Sequence, residues 1–155
     1  MNTYPTLIHE RVDLARREEN ETVICRLKSG WVVLGDNQLL KGYSLLLADP
    51  IQDTINSVGI QERTQFLLDM AYVGDALLNV LSSSLVNYSI LGNRDRALHA
   101  HIQPRYDSEP EDKRNRNAYI YQALNTPPVP FDYARDSELI QSIRKELAAI
   151  TDIIE

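Results

Sequence analysis

Leu98-His99-Ala100-His101-Ile102-Gln103-Pro104-Arg105 alternates polar and apolar side chains with a period of two. Successive side chains of a strand point to opposite faces, so His99, His101, Gln103 and Arg105 share one face and Leu98, Ala100 and Ile102 the other. Two of the chain's three histidines lie in this one polar stripe. A sheet face carrying imidazoles, an amide and a guanidinium needs hydrogen-bond partners for them, and a bound phosphate would satisfy several at once.

Working outward, Gly92-Asn93-Arg94-Asp95 is a turn-forming cluster, and Leu85 to Leu91 before it reads as a second strand. Leu85–Leu91 and Leu98–Tyr106 are therefore expected to form an antiparallel hairpin. Upstream, Phe66, Leu67, Met70, Val73, Leu77, Leu78 and Leu81 follow helical spacing from Glu62 to about Ser82, which predicts a long helix covering one sheet face. Thr22 to Leu27 and Trp31 to Leu34 flank Lys28-Ser29-Gly30 in the pattern of a hairpin, and Tyr43 to Leu47, closed by Pro50, makes another strand. Tyr4, Leu7, Ile8, Val12 and Ala15 mark a short N-terminal helix. Leu139, Ile140, Ile143, Leu147, Ile150 and Ile154 mark a final one, with Asp136, Ser137 and Glu138 as cap-type residues at its start. Strands with inserted helices and no βαβ alternation predict an α+β fold: about five antiparallel strands, a long helix packed on them and terminal helices. Asp107 to Asn117 and the prolines at 127, 128 and 130 read as surface connections.

At 155 residues the whole chain, 1–155, is expected to be one domain. A formal charge of -6 with no dense basic cluster excludes a phosphate-backbone tracker, so no polymeric nucleic acid partner is expected. A small phosphorylated ligand remains compatible. The one thiol, Cys25, cannot form an internal disulfide, and the first twenty residues lack the apolar run of a secretory signal. No stretch approaches the ~20 apolar residues of a membrane span. These features make cytoplasm, with no membrane partner, the expected address.

The polar stripe resembles the motif of the histidine triad superfamily, in which three histidines alternate with apolar residues on a strand that follows a long helix. Here the third position is Gln103, the variant found in the branch containing galactose-1-phosphate uridylyltransferase and diadenosine tetraphosphate phosphorylase. Asn87-Tyr88, Leu91-Gly92-Asn93, Leu98 to His101 and Pro104-Arg105 are similar to the text of single-domain bacterial members, and the resemblance spans roughly residues 22–106.

The resemblance implies hydrolysis or transfer at the α-phosphate of a nucleotide conjugate, with His101 attacking to give a nucleotidyl-histidine intermediate. A neutral imidazole can do this near pH 7 without a separate strong base. His99 would orient the site through its backbone carbonyl, which in the family accepts from the nucleophile's other ring nitrogen. Gln103 would hold a phosphoryl oxygen, although an amide cannot deliver a proton to a leaving group. The resemblance places phosphate-binding amides at Asn93 and Asn87 and a ribose- and base-binding turn at Asp36, Asn37 and Gln38. It also implies a symmetric homodimer, with the long helix between protomers, and no metal or cofactor. Tyr43 stands where many members carry another histidine.

Plainer roles exist for each residue. His99 and His101 could be two ligands of a metal, with His9, an Asp or a Glu as a third, or buried polar groups satisfied within the core. Arg105 could bind phosphate or pair with Asp107 at the surface. Asp36, Asn37, Gln38, Asn87 and Asn93 suit ordinary turns and strands. Asp107 to Arg116 reads as a solvated face able to reach across a dimer, Trp31 and Phe66 as core, Cys25 as a small buried hydrophobe and His9 as a surface residue. A nucleotide-binding or partner-binding protein with weak turnover is the alternative to an enzyme, because Gln103 and Tyr43 replace acid-capable groups.

Overall fold

The computed structural model describes residues 3–154. Five strands, β1 (Val23–Leu27), β2 (Gly30–Leu34), β3 (Ser44–Ala48), β4 (Leu85–Ser89) and β5 (His99–Arg105), form one antiparallel sheet in the order β1-β2-β3-β5-β4. The helices are α1 (Leu7–Arg16), α2 (Ile60–Val80), two single turns α3 (Glu111–Arg114) and α4 (Ile120–Ala123), and α5 (Tyr133–Ile150). This is the expected α+β architecture.

The two faces of the sheet are used differently, as the alternation within each strand dictates. Val32, Leu34, Leu46, Ala100 and Ile102 point to one side, where Phe66, Val73, Ala76 and Leu77 of α2 meet Leu139, Ile140, Ile143 and Leu147 of α5 in the main core. Fully burying an aliphatic side chain contributes about 1.5–3 kcal/mol relative to exposure, so this interface dominates the stabilisation. On the opposite side Trp31, Val33 and Leu47 pack under Ile8, Val12 and Ala15 of α1. That second core covers only the β2–β3 end. The same face at β5 and β4 is mostly polar, with Ser89 paired to His101 and Asn87 to Gln103, and the apolar Leu85 opposite Arg105.

Three expectations need correction. α5 starts earlier than residues 136–138: Asp132 is its N-cap, accepting from the Arg135 amide, while Ile154 lies beyond its C-cap Thr151. Asp136 is buried inside the first turn, bonded to Arg135 and the Asp132 amide. A helix interior residue hid the cap because Asp is the preferred type at both places. Next, the long helix does not cover its sheet face alone: α5 lies along α2 and shares that core. Third, residues 107–117 are not a plain surface connection, because the chain from 106 to 131 is tied back onto the polar sheet face as an arch.

Arg105 is the anchor of that arch, and it neither reaches solvent nor pairs with Asp107. Its side chain is 3% exposed and forks onto Glu109, itself 6% exposed, with Nη2 to Oε1 at 2.9 Å. It also donates to Asn87 Oδ1 at 2.8 Å and to the carbonyls of Lys113 and Arg116. At the far end Gln38 N donates to the Val129 carbonyl, Val129 N to Asn37 Oδ1, and Phe131 N to the Asp36 carbonyl. The arch is thus fixed at both feet.

Candidate active site

Between the arch and the polar sheet face lies a cleft of about 580 Å³, within the range of small-molecule sites. Its floor is His101 and Gln103 from β5, with Tyr43 from the residue before β3. Asn37, Leu39 and Leu40 close one end, and Tyr119, Tyr121, Gln122, Asn125, Thr126 and the prolines 127 and 128 make the far wall.

His101 is half-buried, and burial followed by the neighbouring His99 lowers its pKa to about 4. At pH 7 the ring is therefore neutral. His101 Nδ1 lies 2.6 Å from Tyr43 Oη, and the two rings stack with centroids 6.0 Å apart. Burial raises the Tyr43 hydroxyl above its ordinary pKa, so it stays protonated. The partner of Nδ1 is thus a tyrosine hydroxyl, in place of the His99 carbonyl expected from the family resemblance. His99 Nδ1 is 2.6 Å from the Ala97 carbonyl, an obligate acceptor, which fixes its own tautomer with the proton on Nδ1. Its ring stands edge-on to His101 at 4.9 Å.

Tyr43 is held by local sequence. A Cβ at Gly35 would come within 2.4 Å of two Tyr43 ring carbons, so only glycine leaves room for the ring. Gly42, at φ +90, turns the chain just ahead of it in a conformation L side chains disfavour. Gln38 staples the turn, donating to the Gly35 and Tyr43 carbonyls and accepting from the Gly42 amide.

The structure therefore brings His101, Gln103 and Asn37 together around the cleft and leaves the other candidates outside its lining. Gln38 is buried and satisfied by backbone, Asp36 is an exposed partner of Arg11 at 2.8 Å, and Asn87 Oδ1 accepts from Arg105. Asn93 is exposed in the turn before β5. His9 is bonded to Thr6 on α1, and among the described residues no group of three His, Cys, Asp or Glu could hold a metal ion. Cys25 is buried, and desolvation pushes its thiol up to about 12. The arch residues were missed, although two tyrosines in a polar loop, Tyr119 and Tyr121, are the kind of half-buried aromatic that ligand sites use. Tyr119 touches both the site and the sheet, with its ring 6.3 Å from that of His101 and its hydroxyl 2.9 Å from Ser89 Oγ.

Among the described residues no helix is long and apolar enough to cross a membrane. No protein-family model matches the sequence, and no curated protein matches it. Solved structures do match. A histidine triad protein from Marinobacter aquaeolei superposes with a TM-score of 0.70 at 17% identity, covering 94% of this chain and 98% of that one. One from Bradyrhizobium japonicum gives 0.68 at 20% identity over 86% and 95%. A diadenosine triphosphate hydrolase from Plasmodium falciparum, solved with cyclomarin A, gives 0.55 at 17% identity over 83% and 78%. The chain has the fold of the histidine triad proteins.

Proposed function

We propose that the protein is a nucleotide hydrolase or nucleotidyltransferase that acts at the α-phosphate of a nucleotide conjugate, with His101 as the nucleophile. The observation that carries this reading is a neutral imidazole on the floor of the cleft whose Nδ1 is engaged by a neutral tyrosine. With the proton on Nδ1 and donated to the Tyr43 oxygen, the Nε2 lone pair is free to attack phosphorus. Tyr43 is then a positioning residue that accepts from Nδ1–H in the reactive tautomer and keeps that hydrogen bond while the ring becomes cationic.

Gln103, beside His101 on the same face, donates its amide to a phosphoryl oxygen, and His99 packs edge-on to keep the His101 ring upright. Of the remaining candidates, Asn37 lines the cleft, and its amide nitrogen suits a ribose hydroxyl while its oxygen accepts from the Leu39 and Val129 amides. Asn93 contributes to phosphate binding only if the turn before β5 moves toward the cleft, Asn87 holds Arg105 from β4, and Asp36 and Gln38 support the turn that carries Asn37. No step calls for a metal. The proposed assembly is a cytoplasmic homodimer, for which the exposed Leu67, Leu68 and Leu78 of α2 are the available surface.

Release of nucleoside monophosphate from nucleotide-sugar, phosphoramidate and dinucleoside polyphosphate substrates, compared between wild type and His101→Ala at matched folding, tests the reading. Turnover that disappears in the variant supports it. A folded wild type that binds nucleoside monophosphate in calorimetry and releases nothing from any substrate points to the binding protein instead.

A further inference from the structure

Among the described residues, none that lines the cleft is Lys, Arg, Asp or Glu. Arg105 is paired with Glu109 beneath the arch, and the Lys113 ammonium lies 5.6 Å from the centre of the Tyr121 ring without joining the cleft lining. The wall that faces His101 and Gln103 from across the cleft offers aromatic faces on Tyr119 and Tyr121 and amides on Gln122 and Asn125, the Tyr121 hydroxyl being spent on Glu109 and that of Tyr119 bonded to Ser89. A polyphosphate lying along it would have no counter-charge in a partly enclosed site, where unpaired charge is costly.

Proton supply is equally restricted. Gln103 has no acidic proton, and burial, followed by the hydrogen bond to Glu109, raises the Tyr121 hydroxyl to about 12. A leaving group that must be protonated as its bond breaks finds no strong acid on this wall.

We infer that the group displaced from phosphorus is uncharged in the bound substrate, departs as a self-stabilised oxyanion such as a phenol or a carboxylic acid forms, and is received by the aromatic faces of Tyr119 and Tyr121 and the amides of Gln122 and Asn125. This rests on the nucleotidyl transfer proposed for His101 and narrows its substrate class. In the first step the His101 Nε2 lone pair forms the N–P bond, the P–O bond to the displaced group breaks, and its electron pair leaves on that oxygen. The positive charge spreads over the imidazolium, whose Nδ1–H stays on Tyr43. In the second step a water oxygen bonds to phosphorus, the N–P electrons return to Nε2, and the water proton passes to solvent.

The decisive comparison is kcat/KM for the p-nitrophenyl ester of a nucleoside 5′-monophosphate against the corresponding dinucleoside triphosphate. Their leaving groups have similar basicity, so the ratio reads charge. The ester is expected to win by about tenfold or more, and Gln122→Arg to shift the ratio toward the triphosphate by roughly fivefold, the scale of one partly exposed ion pair. An amidate of the same nucleotide, whose amine needs a proton, is expected to trail the ester and to gain relative to it in Gln103→His. Release of nucleotide with the triphosphate equal or preferred, or a ratio untouched by Gln122→Arg, overturns this inference and leaves the role of His101 standing. Binding without turnover is read by the same ratio in Kd. If none of the three is cleaved and nucleoside monophosphate does not bind, the nucleotidyl reading fails with it.

Discussion

Arg105→Met tests whether a buried ion pair holds the arch that builds the far wall of the cleft. Methionine fills much of the same space, so the change removes charge and donors while leaving little void. It strands the Glu109 carboxylate, Asn87 Oδ1 and the carbonyls of Lys113 and Arg116, all of which Arg105 serves. Breaking a buried pair costs about 3–5 kcal/mol. Glu109 keeps two donors, the Tyr106 amide at 2.7 Å and the Tyr121 hydroxyl, which places the loss at the lower end, about 3 kcal/mol at pH 7.

The pH dependence of that loss has a definite sign. Burial alone would raise the Glu109 pKa, but hydrogen bonds from Arg105, Tyr121 and the Tyr106 amide outweigh it and hold the group below its ordinary value of 4.5. A depressed carboxylate stabilises the folded state above its unfolded pKa, and that contribution disappears as pH falls through the folded one. The gap between wild type and variant is therefore widest at neutral pH and narrows below about 4.5. Urea titration followed by the fluorescence of Trp31, the only tryptophan, reads global stability, while limited proteolysis between residues 106 and 131 reads the arch. A loss below about 1 kcal/mol with unchanged cleavage of the arch would refute the anchoring role.

Further outcomes concern the nucleophile. Tyr43→Phe should cut kcat about 10–100-fold with the fold retained, and Gly35→Ala, whose methyl meets the Tyr43 ring at 2.4 Å, should lower it in the same direction. Nitrogen NMR of the His101 ring would show Nδ1 losing its hydrogen-bond partner in both, and unchanged spectra with unchanged kcat would remove Tyr43 from the account. Because protonation occupies the lone pair, kcat/KM should be flat above about pH 5 and fall toward acid through a pKa near 4, whereas a limb centred near 6.5 would mean that His101 is not desolvated as described. Dialysis against a chelator should leave turnover intact, as expected for a site whose described residues include no three-ligand cluster; loss that added zinc restores would argue for the metal reading.

Local periodicity made the sheet and long helix legible. The alternation in 98–105 correctly sent Leu98, Ala100 and Ile102 to the α2 core and the polar set to the opposite face. The arch was not legible, because nothing in the sequence of residues 107–131 shows that it folds back. Its attachment depends on long-range partners: Asn37 with Val129, Ser89 with Tyr119, and an arginine whose acceptors are largely backbone carbonyls. Arg105 was misread for the same reason, since an Asp two residues on is an obvious surface partner whereas Glu109 becomes one only after the chain turns. Tyr43 stood out as a departure from the family's pattern, but its bond to His101 spans 58 residues and is visible only in three dimensions. The turn 36–38 divides along similar lines: Gln38 looks like a ligand group in sequence, yet its amide is consumed by the backbone that it staples.

The central claim is that His101 becomes covalently attached to the nucleotide. Wild-type protein mixed with the p-nitrophenyl ester of a nucleoside monophosphate, quenched within the first turnover and kept at alkaline pH, should carry one added nucleotidyl mass that maps to His101 in the 99–105 peptide. His101→Ala should carry none and release nothing beyond background. Full release by the wild type with no adduct at any quench time, or undiminished turnover in folded His101→Ala, would contradict the account.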